Sequence, residues 1–167
     1  MMSIIGIIAK EKRVNQIKKQ IEKENLNIEF VCINNKSIKN LRNIKFEIFI
    51  IEDSLIKLQE NKEYIKDIMK KAKYILLNSD INISEENFKD IEIKILTYGL
   101  KQKSTITISS IKEEKILISI QRAFKNLNEK TIEQKEVPVE LDVNSDKNMY
   151  NLLIKLAIME LISGKNT

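Results

Sequence analysis

The sequence predicts an α/β fold: a mainly parallel, open sheet with flanking helices, appended antiparallel strands over about 104–141, and a buried C-terminal helix. Three observations predict it. Short apolar runs alternate with amphipathic helical stripes through residues 1–100. Past Gly99 the pattern changes to period two. The segment 147–163 is apolar on nearly every side. No linker, repeat or low-complexity stretch divides the 167 residues. They are read as one domain with a βα-repeat portion (1–100) and a strand-plus-helix portion (101–167).

The elements follow in order. Ser3 to Ile8 is a continuous apolar run, as a parallel strand buried on both faces requires. From Lys10 to Glu24, Val14, Ile17 and Ile21 form a narrow helical stripe on a charged background. Ile28–Ile33 is the second strand, with Cys32 expected as a buried strand residue, and Phe46–Ile51 the third. Between Leu55 and Ala72, the residues Leu58, Ile65, Ile68, Met69 and Ala72 share a helical face. Tyr74–Leu77 and Lys94–Thr97 are further strands, with a short helix between them that Ser84 caps. Ser104–Ser110 and Lys115–Gln121 alternate about a polar turn at Lys112-Glu113-Glu114. Ile132–Leu141 contains the one proline, Pro138, so that strand belongs at a sheet border. Asp146 is the expected cap of the last helix and Gly164 its stop.

Composition excludes much chemistry. With no histidine, the Ser-His-Asp and Cys-His triads and histidine-ligated zinc are ruled out. One cysteine rules out an intramolecular disulfide and any CxxC site. The net charge of +5 does not point to nucleic acid: the lysines are interleaved with glutamate, and aromatics are only 5%, too few for base stacking. The densest cluster, Lys70, Lys71 and Lys73, falls at a helix C-terminus, where cations favour the dipole. The opening MMSIIGIIAK lacks a basic n-region and a cleavage site, and no stretch reaches transmembrane length. A cytoplasmic protein without membrane or nucleic-acid contact is the expectation.

Four segments, "LLNSD" (Leu76–Asp80), "KILTYGL" (Lys94–Leu100), "STITISSI" (Ser104–Ile111) and "NMYNLLIKLAIMELISG" (Asn148–Gly164), carry a resemblance in order and spacing. Over roughly Tyr74 to Gly164 the chain resembles the central ATP-binding domain of the Mur ligase family, the ATP-dependent amide-forming enzymes of peptidoglycan precursor synthesis. There an Asn-Asp pair at a strand end precedes a Tyr/Phe-Gly motif, antiparallel strands, and a helix opening with His-Asn-x-x-Asn. On the same template Ile4-Ile5-Gly6-Ile7 resembles the P-loop strand, and Ala9 to Val14 fall on the loop.

That loop has lost its chemistry. Neither glycine that lets phosphate approach the backbone is present. Arg13 stands in place of the phosphate-binding lysine, Val14 replaces the Mg²⁺-holding hydroxyl, and Glu11 puts a negative charge where polyphosphate would sit. Lys147 replaces the histidine of the His-Asn motif, and the family's C-terminal amino-acid-delivering domain has no counterpart. The resemblance therefore implies a degenerate P-loop-NTPase-like fold without ligase activity, cofactor or metal. A receiver domain is the competing α/β reading of the first half; Asp53 could serve as its phosphoacceptor, but Ala9-Lys10-Glu11 does not supply the acidic pair it needs.

Two constellations remain as candidates. Glu52-Asp53 and Asp80, all at strand C-termini, could converge on a divalent cation or small ligand, although helix capping by Asp53 or Ser54 and a loop turn at Asp80 explain them more simply. Lys10, Lys12 and Arg13 could bind an anion at a helix N-terminus, although a solvated charged turn is the simpler account. Tyr98 reads as structural, and Asn148 and Asn151 as caps or cross-links. The leading functional expectation is a non-catalytic, Mur-ligase-like domain that binds or scaffolds a protein partner or a second copy of itself, with a possible tie to cell-wall synthesis. A small-molecule-binding or weakly enzymatic protein using the acidic strand ends is the alternative. One subunit of a split ligase is the third.

Overall fold

Alternate residues of each apolar run go to opposite faces of one sheet in the computed structural model, which describes residues 2–53, 60–141 and 148–164. The strands β1 (Ser3–Ile8), β2 (Ile28–Ile33), β3 (Ile48–Ile51), β4 (Tyr74–Asn78) and β5 (Lys94–Tyr98) are parallel. They continue into β6 (Ile106–Lys112), β7 (Lys115–Ile120) and β10 (Lys135–Glu140), giving an eight-stranded sheet ordered β10-β7-β6-β5-β4-β3-β1-β2. A separate hairpin pairs β8 (Phe124–Lys125) with β9 (Thr131–Ile132). The helices are α1 (Glu11–Glu22), α2 (Lys62–Lys71) and α3 (Met149–Ile162).

Each face has its own core. Ile5, Ile7, Ile48, Ile50 and Leu76 pack with α1 and α3 on one side. Ile8, Phe49, Ile51 and Ile75 pack with α2 and the 3-10 turn Ile38–Leu41 on the other. Burial on both sides is why these strands read as unbroken apolar runs rather than alternating ones. Gly6 sits where a Cβ would lie 2.7 Å from Ile33 Cδ1 and 3.0 Å from Phe46 Cδ1, so β1 admits no side chain there.

Some boundaries differ from expectation. The third strand starts at Ile48, though Phe46 and Glu47 before it are buried. The second helix is described from Lys62; Leu55, Leu58 and Ser54 lie outside the described residues. Asp146 and Lys147 also lie outside them, and the N-cap of α3 is Asn148, whose side chain accepts from the Tyr150 and Asn151 amides. Cys32 is only half-buried, because β2 is an edge strand; burial still raises its thiol pKa above the ordinary value.

The appended strands also need correction. β6 is not purely antiparallel: it pairs with β5 in parallel at Tyr98–Ile106 and with β7 antiparallel. The expected segment 132–141 divides between β9 and β10, and Pro138 does lie on the edge strand β10. The β8–β9 hairpin is held by Asn126, which is fully buried. Its Nδ2 donates to the Ser163 carbonyl and hydroxyl at 3.0 Å, which ties the hairpin to the end of α3. Among the described residues no helix is long and apolar enough to cross a membrane.

Candidate functional site

The order β2-β1-β3-β4-β5 makes this a doubly wound sheet whose strand order reverses between β1 and β3. In such sheets the crevice beyond the carboxyl ends of the strands is open, because the connections leave it in opposite directions. The side chains arriving there come from the start of α1, the residue after β3, the end of β4, and the first turn of α3.

Glu52 lies at the centre. Its side chain, 7% exposed, is ion-paired with Arg13, 18% exposed, at 2.8 Å between Arg13 Nε and Glu52 Oε2. The other carboxylate oxygen accepts from the Tyr98 hydroxyl, and Arg13 Nη1 donates to Asn151 Oδ1. This network joins α1, β3, β5 and α3 across the sheet end. A charge buried to this degree is tolerated because each partner is matched and hydrogen-bonded.

Asp80 lies beside it. Its Oδ2 accepts the Leu100 amide at 2.6 Å and the Tyr150 hydroxyl at 3.0 Å, while its own amide donates to Asn78 Oδ1 at 3.0 Å. Gly99 lets the carboxylate come this close: a Cβ there would lie 2.8 Å from Asp80 Oδ2. Arg13, Gln16, Glu52, Asn78, Asp80 and Tyr150 border one open pocket of ≈ 320 Å³, with Ile81 and Asn148 completing the wall.

The structure therefore brings together Arg13, Glu52 and Asp80 and leaves out the other candidates. Lys10 is exposed and serves through its backbone carbonyl, which accepts the Arg13 and Val14 amides of α1. Lys12 faces a different surface, with Glu11, Asn15 and Lys19. The three cations thus do not form one anion site. Asp53 donates its amide to the Ile8 carbonyl at 3.2 Å and does not border the pocket. Among the described residues no group of three or more His, Cys, Asp or Glu is placed to hold a metal, and Glu52 is turned to Arg13 rather than toward Asp80. Val14 is buried in the core and contributes apolar packing there.

Two residues outside the expected candidates take part, Tyr150 and Asn78, while Tyr98 keeps the structural role expected of it. Tyr98 is fully buried and a partner of Glu52, and Tyr150 and Asn78 line the pocket. Asn78 did carry a signal, a polar side chain closing an apolar strand. Tyr150 carried none, since an aromatic in an apolar helix reads as core.

Burial first, then the Glu52 charge and hydrogen bond, raise the Tyr98 pKa well above the ordinary phenol value. The sign follows from linkage. The unfolded phenol ionises near about pH 10, the folded one higher, so the stability this group contributes is complete below about 10 and is lost as pH rises toward the folded value. Urea midpoints measured between about pH 9 and 11 are expected to fall less steeply in Tyr98→Phe than in the parent. Parallel slopes would remove Tyr98 as the source. Tyr150 is raised in the same direction, by burial and then by its bond to Asp80.

No family model and no curated protein matches the chain. Among solved structures, the constitutive lysine decarboxylase of E. coli is similar at 11% identity and a TM-score of 0.35, over 61% of this chain and 15% of that one. A likeness of that size carries no argument, and the site has to be read from its own residues.

Proposed function

We propose that this chain is a cytoplasmic, non-catalytic, Mur-ligase-like domain that acts by binding at the carboxyl ends of its parallel strands. The observation that carries the reading is the engagement of Arg13. At the position of the phosphate-binding lysine stands a guanidinium already paired with Glu52 and bonded to Asn151. Polyphosphate brought to this point would have to displace Glu52 and would then meet two carboxylates, Glu52 and Asp80, at close range. The internal ion pair occupies the electrostatic role that a nucleotide would need to fill.

Calorimetric titration with ATP and ADP, with and without Mg²⁺, is expected to give no saturable heat, and a phosphate-release assay no Mg²⁺-dependent turnover. Saturable ATP hydrolysis that disappears in Arg13→Ala would overturn the proposal. A protein partner or a second copy is the further reading, favoured by the large apolar side chains left in solvent among the described residues: Met2, Ile95, Leu100 and, at 63% exposure, Ile111. Light scattering across a concentration series tests the self-association form of it.

A further inference from the structure

We infer that the pocket at the strand ends takes a small monocationic amine carrying a neutral oxygen acceptor, with its ammonium against Asp80 and its oxygen against Asn78. This deepens the binding reading above and rests on it.

Two unmet polar groups border the pocket. Asn78 is 6% exposed, and its Oδ1 is fixed as the acceptor by the Asp80 amide at 3.0 Å. The amide group is thereby oriented, and its nitrogen, a double donor, has no acceptor among the described residues. That nitrogen reaches the solvent of the pocket, so a ligand acceptor placed there replaces water on an already oriented donor. The second group is Asp80 Oδ1, which is buried and receives no hydrogen bond, while Oδ2 takes both the Leu100 amide and the Tyr150 hydroxyl. The carboxylate torsion of an aspartate is broad, so a turn that shifts Oδ2 on its two donors brings the enclosed Oδ1 to the pocket, and the incoming ammonium repays that shift. One idle donor and one idle acceptor, on residues two apart, define a ligand with one acceptor and one donor close together.

Charge decides which end of the ligand is ionised. Arg13 and Glu52 cancel, so Asp80 leaves the pocket with a single uncompensated negative charge. A charged donor satisfies a carboxylate about twice as well as a neutral one. A hard metal ion asks for about six or more oxygen ligands, which one idle carboxylate oxygen does not provide. The matching donor is therefore an organic ammonium. The acceptor end needs no charge, because the Arg13 cation is already spoken for by Glu52. A carboxylate there would face Glu52 and Asp80 together. A hydroxyl or amide carbonyl meets Asn78 without that repulsion.

Size and walls narrow the ligand further. Binding pockets begin at roughly 300 Å³, and this one is ≈ 320 Å³, with Ile81 and the Tyr150 side chain as its apolar surfaces. That admits a branched aliphatic chain of a few carbons.

The test is calorimetric titration of the full chain with leucinol, leucinamide, leucine, isoamylamine and 4-methylpentanamide at pH 7. Leucinol or leucinamide is expected to bind roughly tenfold or more tightly than isoamylamine, which lacks the acceptor, and than the neutral amide, which lacks the charge. Which of the two is tighter identifies the acceptor as hydroxyl or carbonyl. Asp80→Asn should abolish the preference for the ammonium, and Lys12→Ala, outside the pocket, should change nothing. Should Asp80→Asn fail to fold, the five-ligand ranking on the parent protein still decides. The inference is overturned if leucine matches or exceeds leucinol and leucinamide, if isoamylamine or the neutral amide binds equally well, or if none binds. Each of those results leaves the non-catalytic reading standing, whereas Mg²⁺-dependent ATP hydrolysis in the same preparation would remove that reading instead.

Discussion

Glu52→Ala is expected to lower folding stability by about 3–5 kcal/mol, the cost of breaking a buried pair by removing one partner. The deletion leaves two groups stranded. Arg13 keeps its charge, and its bond to the Asn151 carbonyl oxygen, but loses its counter-ion. The Tyr98 hydroxyl, in a fully buried residue, loses its acceptor, which alone costs about 1–3 kcal/mol. Because the Arg13 side chain retains 18% exposure, water reaches part of the guanidinium, and the lower end, about 3 kcal/mol, is the better expectation. Urea denaturation with linear extrapolation measures it. The double variant Arg13→Met/Glu52→Leu should recover most of the loss, since an apolar pair of similar volume avoids desolvating either ion. A single-variant cost below about 1 kcal/mol would mean that the pair behaves as a surface ion pair.

Phe49→Ala is expected to cost a comparable amount, about 3–5 kcal/mol, by a different mechanism. Phe49 is fully buried in the second core, its ring 6.2 Å from that of Phe46 and tilted by 54°. Its backbone is laddered on both sides, to Gly6 of β1 and Ile75 of β4, so the chain cannot sink into the space left behind. The cavity remains and its lining loses dispersion contacts. Ile50→Val, next in sequence but on the opposite face, should cost only about 0.5–1.5 kcal/mol. The pair of denaturation curves tests whether the two cores are as well packed as their burial implies. Equal losses would point to a sheet whose faces do not act independently.

The elements that could be read from the sequence are those with a long, regular pattern. The stripe Val14, Ile17, Ile21 is buried as its spacing requires, and the runs at Ser3–Ile8 and Ile28–Ile33 are strands with those limits. Ser84 caps its short 3-10 turn by accepting from the Glu86 amide. What escaped was too short for any period to register. Phe124–Lys125 and Thr131–Ile132 are two residues each, held by the buried Asn126 and by Ile132 and Phe124 against the first core. The site divides in the same way. Arg13, Glu52 and Asp80 stood out singly because charged residues at strand ends and helix starts are conspicuous. That Arg13 pairs with Glu52, 39 residues away, and reaches Asn151, 138 residues away, depends on strand order and crossing geometry, which residue types do not encode locally. The expected acidic cluster failed for that reason: Glu52 had a closer, opposite charge to meet.

The spread of the site along the chain bears on how it comes into being. A ribosome adds residues from the amino end, so Arg13, Glu52 and Asp80 all leave the exit tunnel well before Tyr150 and Asn151. Until then Arg13 has Glu52 but not the Asn151 oxygen, and Asp80 has the Leu100 amide but not the Tyr150 hydroxyl. Without α3 the pocket has no wall on that side, and one face of the sheet lacks its cover. Closure of the pocket is therefore non-local: it requires α3 to dock, because Tyr150 and Asn151 reach residues 70 and 138 positions earlier in the chain.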